Sequence, residues 1–469
     1  MSITMTIDGR SAAGSDRLPV ENPASGATVA AAPACDGGEL DRAVEAARRA
    51  FTGWSRSPEE RRRQALLDCG RVLEEHVGEI SRLLTLEQGK PLRDAEAETR
   101  LAADWFVRTA GLTLGSEILV DDRSARIRLD RVPLGPVAAI APSNFPLILA
   151  VVKVAPALLA GNTVVLKPSP LTPLATLRMG ELLGAVLPPG TLNTIAGRSE
   201  LGAWLVGHPG IRLVSFTGSV ESGRAIARAA SSDLKRVVLE LGGNDPAIVL
   251  PGADVGQVAA GILRSALANG GQFCAAVKRV YVPRDLEAEF GETLGGLARR
   301  LTVGDGLDPA TDLGPLVSEA QVVRVGKLVG EAVSLGARVL TGGRRLERPG
   351  HFYPPTVVTA LAPGSQLEAE EQFGPVVPVL AYDSLEEAVE RANATRFGLG
   401  GSVWGDEETA VDVAERLDCG TTWINSHGDL RHDVPFGGHK SSGIGVEYGY
   451  WGLLEYTQPR VVNLARVPL

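Results

Sequence analysis

The chain has 469 residues, 44% of them hydrophobic and 22% charged, which is typical of a globular protein with two or three domains. Its net charge of −9 argues against nucleic acid as a partner, because phosphate binding requires a basic surface. Neither a secretion leader nor an apolar run of membrane-spanning length is visible. With four dispersed cysteines that form no C-x-x-C pair, we expect a cytoplasmic protein without disulfides, away from membranes.

The first third of the chain predicts short β segments followed by helices. The β segments run to about Gly38, and helices are predicted over 40–51, 58–85 and 93–109. The stretch 116–129 then alternates β-prone and charged residues. This pattern predicts an exposed ribbon, which the segment 456–469 could extend by pairing.

From Gly135 onward, predicted strands and helices alternate. The predicted strands are 137–141, 163–166, 192–195, 213–216 and 236–240, and the predicted helices are 147–159, 174–186 and 222–230. Such alternation predicts an α/β fold with a mostly parallel sheet covered by helices on both faces. A second α/β segment is predicted over 243–440.

The residues that point most directly to chemistry are a cysteine and a glutamate. Cys274 follows a Gly-Gln pair, and Glu240 lies 34 residues before it at the end of a predicted strand. A thiolate can attack a carbonyl carbon, and a carboxylate can activate the water that later releases the acyl group. This pair predicts covalent catalysis.

Asn144 follows another predicted strand, in the sequence Ser143-Asn144-Phe145-Pro146. Its amide could stabilise an oxyanion together with the backbone N–H of Cys274. Asparagine is also common in turns for structural reasons. Both interpretations remain open from the residues alone.

Two strand ends are typical of nucleotide sites. Thr217-Gly218-Ser219 leads from a strand into a helix that contains Gly223, where glycine allows close backbone approach and the helix N-terminus favours a phosphate. Lys167-Pro168-Ser169 closes a strand, and ligands of open α/β sheets gather at the carboxyl ends of strands. Either signal is weak by itself.

Together these motifs resemble the aldehyde dehydrogenase superfamily, in the same order and along essentially the whole chain. Two further motifs carry the resemblance: Glu371-Gln372-Phe373-Gly374-Pro375, 97 residues after Cys274, and 435–443 followed by Glu447. The resemblance implies a Rossmann-type parallel-sheet cofactor domain (1–111 and 132–242) and an α/β catalytic domain (243–440). It also implies a small β oligomerisation ribbon with bridging segments (112–131 and 441–469), in a homodimer or homotetramer.

The resemblance also implies a role for each catalytic candidate. Cys274 is expected to be the nucleophile, Glu240 to activate water, and Asn144 to help form the oxyanion hole. Lys153 and Glu447 are expected to relay protons with Glu240, although a lysine on a helix is more often solvated. Ser143 stands where the family usually has Trp, which alters the expected shape of the pocket.

For the cofactor, the resemblance implies a nicotinamide dinucleotide, NAD or NADP. The expected contacts are Lys167 and Ser169 at the adenosine ribose, Gly218, Ser219 and Gly223 at the pyrophosphate turn, and Leu241, Glu371 and Phe373 toward the nicotinamide. The family often has Glu where this chain has Pro170. Because no carboxylate would then repel a 2′-phosphate, NADP is admissible, and Arg198 could supply a cation to that phosphate.

The expected reaction is oxidation of a small aldehyde to its carboxylic acid, through a thioester on Cys274 that water hydrolyses. The rivals are a CoA-acylating relative, a catalytically silent protein of the same fold, and an esterase side activity of the same thiol. No metal is expected, because the six histidines lack the spacing of metal ligands. In the loop 425–433, Arg431 could bind a polar or anionic group of the aldehyde, or could simply face solvent.

Overall fold

The structure, a computed structural model, describes residues 3–466. Met1 and Ser2, and residues 467–469 of the predicted ribbon, lie outside the described residues. The strands are β1 Met5–Ile7, β2 Arg10–Ala12, β3 Asp16–Glu21, β4 Thr28–Ala34, β5 Glu117–Asp121, β6 Ala125–Pro133, β7 Pro136–Ile140, β8 Thr163–Lys167, β9 Leu192–Thr194, β10 Leu213–Thr217, β11 Arg236–Glu240, β12 Asp245–Val249, β13 Val277–Pro283, β14 Arg338–Thr341, β15 Thr356–Thr359, β16 Val376–Tyr382, β17 Gly400–Trp404, β18 Thr421–Ile424, β19 Gly443–Ile444 and β20 Thr457–Ala465.

The helices are α1 Gly37–Trp54, α2 Glu59–Glu75, α3 Val77–Gln88, α4 Leu92–Ala110, α5 Ile148–Leu159, α6 Leu174–Val186, α7 Ser199–Gly207, α8 Val220–Ser231, α9 Val255–Ala266, α10 Glu287–Ala298, α11 Glu319–Ser334, α12 Gln366–Ala369, α13 Leu385–Asn393, α14 Glu407–Ala414 and α15 Gly449–Glu455. None of the helices within the described residues is long and apolar enough to cross a bilayer.

The first large sheet has eight strands in the order β19-β11-β10-β7-β8-β9-β1-β2. Its centre, from β11 to β9, is parallel, and the added strands are antiparallel. Alternate residues of β7 face opposite sides: Val137 and Ala139 enter one hydrophobic core, Ala138 and Ile140 the other. Helices therefore cover both faces, as the near-continuous apolar strands predict.

The second large sheet has seven strands in the order β14-β15-β16-β13-β12-β17-β18, parallel except for β14. Its two faces also carry separate cores, with Ala247 and Val249 on one side and Ile248 on the other. The prediction of an α/β fold built on parallel sheets is confirmed.

The predicted ribbon forms a three-stranded antiparallel sheet, β20-β6-β5. Strand β20 runs alongside β6 from Thr457↔Pro133 to Ala465↔Ala125. The C-terminal segment also enters the first sheet, where Gly443 of β19 pairs with Glu240 of β11. This pairing brings the segment 441–469 to a predicted catalytic residue.

Two details of the predicted helices are wrong. The single helix expected over 58–85 is divided into α2 and α3 at His76, whose backbone leaves the helical region at φ −116° and ψ 17°. Helix α7 was not predicted at all. It contains two glycines and has no side-chain cap, so its sequence gives little local signal for a helix.

Candidate active site

Four predicted site residues lie at one edge of the first sheet. Strands β8 and β11 end at Lys167 and Glu240, while Asn144 and Ser219 lie in the segments that follow β7 and β10. These four strands are parallel neighbours, so their carboxyl ends meet at the same edge. The topology thereby gathers residues that are widely separated in sequence.

Cys274 is carried to this edge by a tight loop between α9 and β13. The loop begins with the turn Ala268–Gly271, in which Gly271 has φ 74°. A Cβ atom on Gly271 would lie 2.2 Å from the carbonyl oxygen of Gly374, so only glycine fits. Cys274 itself is half-buried and not part of a disulfide.

The side chain of Asn144 contacts this loop directly. It is buried, and its Nδ2 donates to the carbonyl oxygen of Gln272 at 3.0 Å. One amide hydrogen is thus used to join the two segments, and the second can reach a substrate oxygen. Within residues 3–466, the backbone N–H of Cys274 donates to no protein acceptor. Two donors are therefore available beside the thiol.

The resting thiol is protonated. Burial raises the pKa of Cys274 to about 12, with the Glu371 and Glu240 carboxylates acting in the same direction. Glu240 is itself buried, and neither of its carboxylate oxygens has a hydrogen-bond partner among the described residues. Burial, followed by the charge of Glu447, raises the pKa of Glu240 well above its usual range, whereas Lys153 lowers it. An unpaired carboxylate held in this state can accept a proton.

Lys153 is not solvated, contrary to the ordinary expectation for a helical lysine. Its side chain is completely buried, and its Nζ lies 2.5 Å from Oε1 of Glu447 and 2.7 Å from Oγ1 of Thr217. Helix α5 is apolar on all sides apart from this residue. The structure thus joins Lys153 and Glu447 in one buried ion pair, with Glu240 close enough for both charges to act on it.

Replacing Lys153 with methionine should lower the free energy of unfolding by about 3–5 kcal/mol, because the Glu447 carboxylate would remain buried without its cation. The double variant Lys153→Met/Glu447→Leu should regain most of that loss. Urea denaturation is the measurement. The exposed pair Arg48–Glu45 is the control, where Arg48→Met should cost less than about 1 kcal/mol. Equal losses in the two single variants would contradict the expectation.

An elongated cleft runs along the sheet edge from the thiol. Two adjoining cavities, of 430 and 410 Å³, share Pro142, Ser143, Thr217, Gly218 and Ser219. The first reaches Asn144, Leu241, Cys274, Glu371 and Phe373, and the second reaches Lys167, Ser169 and Pro170. A long cleft between a thiol and a strand-end lysine has the shape that an extended dinucleotide requires.

The far end of the cleft holds an incompletely paired cation. Lys167 is buried, and within the part of the chain that the structure describes its Nζ makes one hydrogen bond, to the carbonyl of Pro168 at 3.3 Å. Burial lowers the pKa of Lys167 to about 8. A buried ammonium with spare donors suits the hydroxyl groups of a ribose. The residues present therefore fit the expected cofactor.

Ser219 and Gly223, at the junction of β10 and α8, have different structural roles. Ser219 is the N-cap of α8, and its Oγ accepts the N–H of Ser222 at 3.2 Å. Gly223 does not line either cavity: a Cβ there would lie 2.5 Å from a methyl group of Leu241. Gly223 therefore allows Leu241 to pack against α8, and it is Leu241 that reaches the cleft. The expected contact of Gly223 with the cofactor stays a prediction.

Glu371 and Phe373 lie where the cleft meets the nucleophile. The backbone N–H of Gly243 lies 3.4 Å from Oε1 of Glu371, and burial raises the pKa of Glu371 to about 7. Phe373 adopts φ 48°, and its carbonyl oxygen accepts a hydrogen bond from Gln321 at 2.9 Å. The left-handed backbone shows that this loop is held in a specific shape.

The two arginines singled out in the sequence both face solvent. The Arg431 side chain is 63% exposed and pairs with Asp433 at 3.2 Å. Arg198 is equally exposed and lies 4.0 Å from Asp16. Neither lines the cleft, although Ser199, next to Arg198, does.

Sequence reasoning missed an aromatic cluster on the other side of Cys274. Phe273, Leu430, Phe436 and Tyr448 pack in one core cluster with the cysteine. Phe145 meets the Phe273 ring edge-on at 5.5 Å. Tyr448 stacks on Phe436 at 5.7 Å and contacts Trp105 at 4.9 Å. These residues come from four separate segments of the chain, around positions 105, 145, 273 and 430–448, so only the fold shows that they meet.

Sequence reasoning also missed a buried hydrogen-bond network that contacts the backbone of Asn144. The Nζ of Lys90 donates to the Asn144 carbonyl at 2.8 Å and to Glu98 at 2.6 Å. Glu98 in turn accepts the N–H of Leu147 at 2.9 Å, just before helix α5. This network fixes the backbone of Asn144.

The described part of the chain contains no group of three or more His, Cys, Asp or Glu side chains that could hold a metal ion.

A sequence model of the aldehyde dehydrogenase family matches residues 10–462. The chain belongs to the aldehyde dehydrogenase family. The enzyme oxidises an aldehyde with NAD or NADP as the oxidant.

Similar proteins cover nearly the whole of this aldehyde dehydrogenase. Phenylacetaldehyde dehydrogenase of Pseudomonas fluorescens is 39% identical over 466 residues, covering 96% of this chain and 92% of that protein. The NADP⁺ succinate-semialdehyde dehydrogenase of Escherichia coli K12 is 36% identical over 450 residues, covering 94% and 93%. The crystal structure of betaine aldehyde dehydrogenase from Staphylococcus aureus with NAD⁺ has a TM-score of 0.97 at 33% identity, covering 100% of this chain and 96% of that one.

Proposed function

We propose that Cys274, Asn144 and Glu240 carry out hydrolytic aldehyde oxidation. The observation that carries this assignment is the buried carboxylate of Glu240, which has no hydrogen-bond partner within residues 3–466 and whose charge acts on the Cys274 thiol. An acylating enzyme that uses CoA has no need of a general base for water at this position. A silent scaffold has no need of a buried, unpaired carboxylate, which costs free energy unless it serves a reaction.

In the first half of the reaction, Cys274 gives its proton to solvent water and its sulfur adds to the aldehyde carbon. The carbonyl oxygen becomes an oxyanion, which accepts hydrogen bonds from Nδ2 of Asn144 and the N–H of Cys274. Bound NAD or NADP would supply the acceptor for the hydride that leaves this carbon. The C=O bond then re-forms and leaves a thioester on Cys274.

In the second half, Glu240 removes a proton from water, whose oxygen attacks the thioester carbon. The C–S bond breaks, and the carboxylic acid departs. Glu240 must then lose the proton it gained. We propose that the buried pair Lys153–Glu447 passes that proton on, since both charges act on the Glu240 carboxylate.

For cofactor binding, we propose that Lys167 and Ser169 hold the adenosine ribose, with Gly218 and Ser219 at the pyrophosphate. Glu371, Phe373 and Leu241 would then contact the nicotinamide end. The adjoining cavities that these residues line support the assignment. Pro170 lines the lysine end and offers no carboxylate to repel a 2′-phosphate, so NADP should be accepted alongside NAD.

At the level of domains, we propose that 1–111 and 132–242 bind the cofactor and that 243–440 form the catalytic domain. The segments 112–131 and 441–469 would mediate homo-oligomerisation. Support comes from large apolar side chains that β5 and β20 expose, among them Leu119 at 49%, Val461 at 58% and Leu464 at 59%. We also propose a cytoplasmic location, in keeping with four cysteines that are all free.

The aldehyde that best suits this site is aromatic. The cofactor cleft lies on one side of Cys274, so the substituent of the aldehyde must extend toward the other side. Phe273, Phe436 and Tyr448 pack in one cluster with Cys274, and their rings favour an aryl group. Arg431 faces solvent and offers no buried partner to an anionic group. The similarity to phenylacetaldehyde dehydrogenase supports the same class.

We expect kcat/KM for phenylacetaldehyde to exceed that for succinate semialdehyde by at least about tenfold. Burial of an aryl ring contributes favourable binding free energy, whereas burial of a carboxylate without a partner costs binding free energy. The measurement is nicotinamide reduction with both aldehydes, each with NAD and with NADP. The variant Arg431→Ala should leave both KM values unchanged. A preference for the semialdehyde that Arg431→Ala removes would show that the substrate class is wrong. A hundredfold preference for NAD would exclude a role for NADP.

A further inference from the structure

Lys278 lies at the start of β13 and contacts the loop that carries Cys274. Its side chain is buried, with 1% of the residue exposed. Its Nζ donates to the carbonyl oxygen of Gly271 at 2.9 Å and to that of Phe273 at 2.8 Å. Both carbonyls belong to the loop that carries Cys274. One ammonium therefore holds the loop on both sides of Gln272.

The contact with Phe273 has a geometric consequence for Cys274. The C=O of Phe273 and the N–H of Cys274 belong to the same trans peptide, in which the two bonds point in opposite directions. Because Lys278 holds this C=O below the loop, together with the N–H of Ala276 at 3.2 Å, the N–H of Cys274 is directed to the opposite side. That N–H has no protein acceptor within residues 3–466, which leaves it available to a reacting oxygen.

The charge of Lys278 also acts on the thiol: burial lowers the pKa of the Lys278 ammonium, and the charges of Glu371 and Asp245 act in the opposite direction and favour its charged form. Glu371, Glu240 and Asp245 all disfavour a thiolate at Cys274, and Lys278 is the cation that opposes them. His427 lies on the far side of Asp245, at 3.6 Å, and hydrogen-bonds the carbonyl of Ala275 at 3.1 Å. The Tyr448 phenol also faces the thiol, and burial raises its pKa well above the usual range, so it adds no charge.

We propose that Lys278 is a positioning residue of this reaction: its ammonium orients the Cys274 N–H toward the oxyanion, and its charge stabilises the Cys274 thiolate. The inference rests on the proposed role of Cys274. It goes beyond that role because it assigns the loop geometry and the thiol reactivity to one lysine outside the recognised motifs.

A purely structural role is the alternative, and the chain contains a matched control for it. Lys235 also has a buried side chain, 2% exposed, and its Nζ donates to two carbonyls, those of Val206 and His208, at 2.6 and 3.0 Å. It does not line the cleft. Lys235→Met removes the same kind of anchor away from the thiol.

The first test is alkylation of Cys274 by iodoacetamide in the full-length enzyme without cofactor, followed by mass spectrometry between pH 7 and 10. In Lys278→Met, the rate should fall about tenfold or more at each pH, which corresponds to a shift of one unit in the thiol pKa. Lys278→Gln, which keeps a donor and loses the charge, should show the same fall. Lys235→Met should match the wild type. Wild-type alkylation profiles in both Lys278 variants would overturn the charge role.

The second test is the burst rate of nicotinamide reduction. Lys278→Met should lower it by about 100-fold, the effect of losing one oxyanion donor, while the dissociation constant of the cofactor stays the same. Lys278→Gln should lose less, because its amide can still hold a carbonyl. A burst within twofold of the wild type in Lys278→Met would overturn the orienting role. If Lys278→Met fails to fold, the alkylation rate of Lys278→Gln tests the charge role and its burst rate tests the orienting role.

Failure of this inference can be told apart from failure of the proposed function. If alkylation of Cys274 in the wild type does not abolish aldehyde oxidation, the assignment of the nucleophile is wrong. If it does abolish oxidation and the Lys278 variants behave like the wild type, only the inference about Lys278 is overturned.

Discussion

Replacing Cys274 with alanine is expected to lower kcat for aldehyde oxidation by more than about 1,000-fold, because no other group in the site can form the covalent intermediate. The cofactor should bind largely as before, since the cavity lined by Lys167, Ser169 and Ser219 does not include Cys274. Steady-state nicotinamide reduction measures the first effect and fluorescence titration the second. Esterase activity without cofactor should disappear as well.

The matched control is Cys419→Ala. Cys419 is also a free, half-buried cysteine whose pKa burial raises to about 12, but it does not line the cleft. Its replacement should leave kcat within about twofold of the wild type, as is usual for a substitution outside the site. Comparable losses in both variants would mean that general destabilisation, and not loss of the nucleophile, explains the result.

Replacing Glu240 with glutamine is expected to separate the two halves of the reaction. Thioester formation should proceed and give a burst of about one equivalent of reduced nicotinamide per site. Steady-state turnover should fall by about 100-fold to 10,000-fold, the contribution of a general base, because water is no longer deprotonated. Rapid mixing with aldehyde and cofactor in excess records both phases.

Two comparisons make the Glu240 experiment decisive. Glu390→Gln, at an exposed position of α13, should retain normal turnover. Added CoA should accelerate neither the wild type nor the variant. Loss of the burst itself would show that Glu240 acts before the thioester forms, and acceleration by CoA would favour the acylating reaction.

Much of the fold could be predicted because buried parallel strands are almost continuously apolar. Strands β7 and β8 are buried at every position, so their sequences identify them and their order along the chain identifies the α/β class. Helix α7 could not be predicted in the same way, since its stability comes from packing of Leu201 and Leu205 into a core that only the fold assembles.

The site was predictable where one side chain follows one strand, and not where a contact depends on tertiary packing. Lys153 had a usable signal: a helix that is apolar all round is buried, so its single charge must find a buried partner. Lys278 was obscured because Arg279 follows it, and two adjacent cations suggest an exposed surface. The aromatic cluster gave no local signal at all.

The pair Lys153–Glu447 joins parts of the chain 294 residues apart, and Glu240 shares its strand edge with Gly443. Domains generally fold in order of synthesis, N-terminal parts first, and contacts this distant in sequence close late. A nascent chain, or one truncated before Glu447, can therefore carry its thiol, its oxyanion donors and its dinucleotide cleft and still lack the partner of Lys153. With the role in proton transfer proposed for Glu447, turnover by this enzyme would depend on the last part of the molecule to fold, so incomplete chains should bind cofactor before they can catalyse.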